Sequence, residues 1–142
     1  MHSTEPYFRI SLHEDHCEVH SVAGGFWSVE TITEYFDAVN EAALPLVKAR
    51  KPIYALVDFS DFVTQDRATG EAIREHLLLS QQFGLKRIAI VAGSALVKLQ
   101  YRRLSQGLEV EFFEDKNDAD TWLRAEARSS AYHASREPEP RI

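Results

Sequence analysis

The chain opens on two short stretches in which apolar and polar residues alternate. Phe8, Ile10 and Leu12 alternate with Tyr7, Arg9 and Ser11, the two-residue period of a strand. The polar residues His13 to His16 turn the chain. A second alternation then puts Cys17 and Val19 on one face and His16, Glu18 and His20 on the other. Strands joined this tightly pair antiparallel, and Gly24 and Gly25 end the hairpin. The period next lengthens to that of a helix. Ser28 stands as its N-cap and Glu30 favours the positive end of its dipole. Val29, Ile32, Phe36, Val39, Ala43 and Leu46 follow at steps of three and four, the stripe of an amphipathic helix. Pro45 removes a backbone donor near the end, which predicts a kinked or irregular last turn.

Ile53 to Val57 is an uninterrupted apolar run, the mark of a strand covered on both faces, and Asp58 ends it. Asp66 caps a second helix running to about Gln82, with Gly84 as its stop. Ile88 to Ala92 is another buried strand. Gly93 and Ser94 lead into a third helix that closes at Gly107. Leu108 to Phe113 alternates with Glu109 and Glu111 as a half-exposed edge strand, and Asp118 caps a last helix carrying Trp122 and Leu123 inward. The order is β-β-α-β-α-β-α-β-α. It predicts an α/β fold with a mixed five-stranded sheet, parallel after the hairpin, with right-handed crossovers. Residues 1–128 are expected to form one domain. Residues 129–142, ending in REPEPRI, lack apolar periodicity and are expected to be mobile unless a partner subunit orders them.

Composition narrows the classes. A chain of 142 residues, 44% hydrophobic and 27% charged, is an ordinary single globular domain. The net charge of −6 argues against a nucleic-acid partner and against charge-driven docking on an anionic membrane. The single cysteine, Cys17, leaves no intrachain disulfide and suits a reducing compartment. No apolar run approaches the roughly 20 residues that span a bilayer, and Met1 to Pro6 lacks the features of a signal peptide. A cytoplasmic location without membrane insertion is the expectation.

Several segments together carry a family likeness: GFW at Gly25 to Trp27, IYALVDFSD at Ile53 to Asp61, KRIAIVAG at Lys86 to Gly93, FFED at Phe112 to Asp115, and DADTWL at Asp118 to Leu123. With the element order, they resemble the SpoIIAA-like family, the fold of anti-sigma-factor antagonists and STAS domains, and in particular its bacterial STAS/SEC14-like branch. The likeness spans about Tyr7 to Arg124. It implies a four-layer β-α winding and a role in protein–protein switching or in binding apolar ligands. In the antagonists a serine at a helix start, in a stretch like DSSG, accepts phosphate. The matching stretch here is Asp66, Arg67, Ala68 and Thr69, so arginine stands at the phosphoacceptor position and the switch is not carried over.

Other groupings have simpler readings than chemistry. His16, Glu18 and His20 share a strand face that resembles a metal motif. Strand residues two apart, however, stand nearly 7 Å from one another, and tight zinc sites draw on convergent elements. A solvated polar face is the expectation, with no metal and no cofactor. Asp58, Asp61 and Asp66 gather at the edge where α/β sheets bind ligands, but turn-making and capping account for them. Ser94 at a helix start, with Lys98, Arg102 and Arg103 following, reads first as a capped, solvated helix face and otherwise as a weak phosphate or phospholipid-headgroup site. No P-loop, GxGxxG or GxSxG occurs, and no catalytic residue is assigned. Leu77, Leu78 and Leu79 span about 200° of a helix, so at least one points away from the core. With Phe83 they suggest a partner surface or a homodimer contact. Phe26, Trp27, Tyr35, Phe36 and Trp122 read as core aromatics. Phe62, in a loop, and Tyr101, near a helix surface, are candidates for lining a pocket.

The expectation from sequence is therefore a non-enzymatic regulatory or protein-interaction module. It binds through its second helix and the neighbouring loop, which Asp58 and Asp61 shape. Arg67 and Leu77 to Leu79 meet the partner, while Phe62, Asp66, Ser94, Lys98 and Tyr101 are the remaining candidate positions for an interaction or ligand site. The alternative is a small apolar-ligand or lipid carrier with its pocket between sheet and helices.

Overall fold

The computed structural model describes residues 5–125. The expectations for residues 126–142, including a mobile tail, lie outside the described residues. Strand β1 (Tyr7–His13) pairs antiparallel with β2 (Glu18–Gly24). Helix α1 (Val29–Lys48) leads to β3 (Ile53–Asp58), α2 (Arg67–Gln82) to β4 (Leu85–Val91), and α3 (Ala95–Leu104) to β5 (Val110–Phe113). A final helix, α4, runs over 116–125. The sheet order is β1-β2-β3-β4-β5, and every pair after the hairpin is parallel.

Alternation along each strand sorts side chains to two cores. Val19, Ala23, Ile53, Val57, Ile88 and Ile90 face α1, α2 and α3. Tyr54, Leu56, Ala89 and Val91 face the other way, onto Ala119 and Leu123 of α4. The apolar runs in β3 and β4 are thus buried on both sides, as their lack of alternation requires. There are three layers rather than four: three helices, the sheet, and α4.

The helix starts follow their capping side chains. Ser28 accepts from the Thr31 amide at 3.2 Å, Asp66 from Thr69 at 2.8 Å and Ser94 from Val97 at 3.3 Å. The last helix departs from expectation. Asp115, not Asp118, caps it: its carboxylate accepts from the Asn117 amide at 2.6 Å and its carbonyl from Ala119 at 3.1 Å. Asp118 lies inside the first turn, where its charge still suits the dipole. Helix α1 continues through Pro45 to Lys48. The acceptor that Pro45 leaves unused belongs to Glu41, on the exposed face, where water can satisfy it. Arg50, at φ 56°, then turns the chain out of the helix. Helix α3 closes at Leu104, short of Gly107, and the Arg74 guanidinium caps the Leu104 carbonyl at 2.8 Å.

At the end of β2, Gly25 holds φ 89° with Glu5 and Pro6 packed against its α-carbon, so no side chain fits there. Trp27 beside it is fully buried and donates its indole N–H to the Gly24 carbonyl at 2.6 Å. Phe26, by contrast, is 45% exposed and not a core aromatic. The revised cap is testable by urea unfolding of paired variants. Asp115→Ala is expected to lose about 1 kcal/mol and Asp118→Ala no more than roughly half of that. The reverse ranking would restore Asp118 as the cap.

Candidate functional site

Between the sheet and the paired helices α1 and α2 lies a cavity of about 280 Å³. Its floor is the sheet face carrying Val19, Ala55 and Val57. Ile32, Val39 and Ala43 of α1 form one wall, and Ile73 and Leu77 of α2 the other. The inner end is aromatic. Trp27 meets Tyr35 edge-on at 5.2 Å and Phe62 at 5.8 Å, while Phe59 stacks on Phe62 at 4.3 Å and meets Tyr101 at 5.4 Å. Leu44, Leu79 and Phe83, exposed by 42%, 49% and 56%, form the outer rim.

The polar groups of this cavity are few and uncharged. Tyr35 and Ser21 share a 2.8 Å hydrogen bond, and burial pushes the Tyr35 phenol up to about 12. Burial likewise raises the Tyr101 phenol. His76 stacks on Phe36 at 3.9 Å with an interplanar angle of 5°, and its Nε2 meets Asn40 Oδ1 at 3.0 Å. Desolvation lowers the His76 imidazole to about 4, so it is neutral at pH 7. No Asp, Glu, Lys or Arg is among the lining residues. Such a wall can receive an apolar body and orient one polar end, but it holds no charged acid–base pair.

The residues singled out in the sequence separate clearly. Phe62, Leu77, Leu79 and Tyr101 come together on the cavity, with Phe62, Leu77 and Tyr101 all buried. Tyr101 therefore faces inward rather than lying near the helix surface. Asp58 accepts from the Ser60 amide and hydroxyl at 2.9 and 2.6 Å, and Asp61 accepts from the Tyr7 phenol at 2.9 Å. Both hold turns. Asp66 caps α2, and the hydrogen bonds it accepts from Thr69 lower its carboxyl. Arg67 is exposed and pairs with Glu71 one turn on. Thr69 is fully buried and donates its hydroxyl to the Trp27 carbonyl at 3.1 Å, so its oxygen is committed to packing. Ser94 spends its hydroxyl on its own helix, and neither it nor Lys98 lines the cavity. Leu78 points outward at 40% exposure.

Several residues escaped the sequence reading. Gln65 is buried and ties three segments: its side chain accepts from the Trp27 amide at 2.8 Å and donates to the Gly25 carbonyl at 3.1 Å, while its backbone exchanges two 2.8 Å bonds with the Gln100 side chain. Asn40 and His76 meet only because α1 packs on α2. The polar strand face also differs from expectation. His16 lies in a short turn (Glu14–His16) outside the strand, and Glu18 is fully buried beneath α4, not solvated. The Asp120–Arg124 pair, four residues apart, was the available sign that α4 brings charge to that face.

Among the described residues, no helix is long and apolar enough to cross a membrane. No curated protein matches the chain. Among solved structures it is similar to an uncharacterized protein of the DUF3478 family from Shewanella loihica, described as having a SpoIIAA-like fold. The two share 23% identity and a TM-score of 0.65, over 87% of this chain and 98% of that one. At that identity the likeness speaks for the fold alone. The family model described as SpoIIAA-like matches residues 23–124, from the end of β2 to α4. The chain belongs to the SpoIIAA-like family.

Proposed function

We propose that this domain is a non-enzymatic carrier or sensor of a small apolar ligand, held between the sheet and helices α1 and α2. The observation that carries the reading is the uncharged, aromatic-ended cavity of about 280 Å³ with an apolar rim. A dry cavity of roughly 150 Å³ already takes up benzene, so this one has room for a bicyclic ring or a short acyl chain. The ligand's body lies against Val57, Trp27 and Phe62, and its polar end is met by Asn40 or Ser80 near the rim. Shape and burial do the binding, and the few hydrogen-bonding groups set orientation.

A second reading keeps the domain as a regulatory module that binds another protein, or its own copy, through α2. It is favoured by the outward Leu78, beside the exposed Leu79 and Phe83 of the rim. Cytoplasmic residence belongs with both readings.

Native mass spectrometry of the full chain, freshly purified, tests the carrier directly through a retained mass. Anilinonaphthalene sulfonate serves as probe for the emptied protein, with saturable binding of one dye per chain expected. Ala43→Leu places a larger side chain in the cavity and is expected to weaken the dye about tenfold, or about 1.4 kcal/mol, with melting temperature unchanged or raised. Unweakened binding in that variant sinks the carrier. For the interaction reading, sedimentation at tens of micromolar is expected to show a dimer that Leu78→Glu dissociates, whereas a monomer throughout removes the homodimer contact.

His76 gives the cavity wall a pH dependence. Its folded value of about 4 lies below the ordinary 6.5, so the unfolded chain takes up the proton first. The contribution is complete above pH 6.5 and falls away as pH drops toward 4. Urea unfolding at pH 7 and pH 5 is expected to show a loss in the native protein that is smaller in His76→Gln. Equal losses in both would assign the effect to other groups.

A further inference from the structure

On the sheet face opposite the cavity, α4 covers a second group of side chains. Glu18 and His20 come from β2, and Asp120 and Arg124 from α4. Glu18 is 0% exposed. One of its oxygens lies 2.7 Å from His20 Nε2, and the other accepts from Arg124 Nε at 3.2 Å. Burial alone would push the Glu18 carboxyl up, but the hydrogen bonds from His20 and Arg124 and their charge hold it below its usual range. Arg124 Nε also stands 3.3 Å from Asp120 Oδ1. That oxygen is nonetheless buried without a hydrogen-bond partner. The His13 ring stacks on His20 at 3.9 Å and fixes its plane.

Two carboxylates thus share one guanidinium, and a buried carboxylate oxygen goes without a donor. A buried acceptor left in this way is costly, and more so when it is charged. Ligand atoms of Glu18, His20 and Asp120 all lie within 4.8 Å of one another. Donors held roughly 2.0–2.2 Å from one tetrahedral ion stand about 3.3–3.6 Å apart, so the His20–Glu18 pair, now at 2.7 Å, would open by under about an ångström and the wider pairs would close by up to roughly 1.5 Å, within reach of side-chain rotation. The strand alone offers two ligands on one side, and α4 supplies the third from a different direction.

We propose that Glu18, His20 and Asp120 bind one divalent transition-metal ion of the zinc or manganese class, with the Arg124 guanidinium as the internal cation that gives way to it. One imidazole with two carboxylates suits such ions better than soft cuprous copper, which prefers sulfur. The Arg124 side chain is 36% exposed and can swing into solvent, and Asp120, at 27%, leaves a path for a bound water. The ion fastens α4 to the hairpin through one ligand on the helix and two on β2. Its effect is therefore on the docking of α4, at the far face from the apolar cavity.

The experiment is a calorimetric titration of the full, chelator-treated chain with Zn²⁺ and with Mn²⁺, alongside thermal unfolding with each ion and with chelator. One ion per chain is expected, with a raised melting temperature. Asp120→Asn keeps the shape and His20→Gln keeps the bulk, and each is expected to weaken binding at least roughly tenfold. Circular dichroism and metal-free melting establish that both variants are folded. Arg124→Gln is expected to bind the ion more tightly than the native chain, because the competing cation is gone. Absence of saturable binding by either ion overturns the proposal. So does binding of native strength in folded Asp120→Asn and His20→Gln, which would put the ion elsewhere on the chain.

Discussion

Each crossover from β2 to β5 steps to the next strand in the same direction, and crossovers of one hand then deliver their helices to one side of the sheet. Helices α1, α2 and α3 accordingly share a single face, and α4 alone is left to cover the other. Most of the molecule's character follows from this asymmetry. The cavity lies on this three-helix face, between α1 and α2 and above β2 and β3. One helix on the far face reaches β3, β4 and the start of β2, but leaves Arg9, Ser11 and His13 of β1 outside its cover.

The hairpin fits the same constraint. Because β1 sits at the edge, its Phe8, Ile10 and Leu12 face the three-helix side while the alternate residues need no cover. Strand β2 lies one position further in, so both of its faces are covered at the Glu18 end. A carboxylate there has to be matched by charge from whatever lies above, and α4 brings Arg124 to it. Burying such a pair is not a strong source of stability in itself. What it fixes is where α4 sits: a rotation of that helix would strand Glu18 without its partner.

Much of this was legible in the chain. Caps at Ser28, Asp66 and Ser94 are local, and a side chain that satisfies its own helix's amides can be read within four residues. The runs Ile53 to Val57 and Ile88 to Ala92 announced two-sided burial by failing to alternate. What stayed hidden depends on tertiary packing. Glu18 alternates as a solvent-facing residue should, and only the placement of α4, more than a hundred residues on, buries it. Asp115 and Asp118 both suit a cap, and only backbone geometry separates them. Tyr101 lies in a helix whose exposed Leu96 and Leu99 blur the apolar stripe, so its inward direction could not be read from period alone. The leucine triplet was informative because its count is geometric, since no single packed face takes three consecutive positions. A cavity leaves no mark in a sequence at all, being a mismatch between side-chain volumes contributed by separate elements.

That mismatch bears on how the two halves of the molecule relate. Unfilled apolar volume costs about 24 cal/mol per Å³ in a closed core, so even a partly open cavity of about 280 Å³ forgoes several kcal/mol of packing. That is a large share of the roughly 5–15 kcal/mol by which domains are stable. Larger side chains at Ala43 and Ala55 would recover much of it without altering the elements around them, because the room is already present. On the far face Leu56, Ala89, Ala119 and Leu123 are packed to 2% exposure or less, and none of them borders the cavity. The under-packing lies on the face between α1 and α2. An apolar molecule entering there would gain the contacts that the chain's own residues leave unmade.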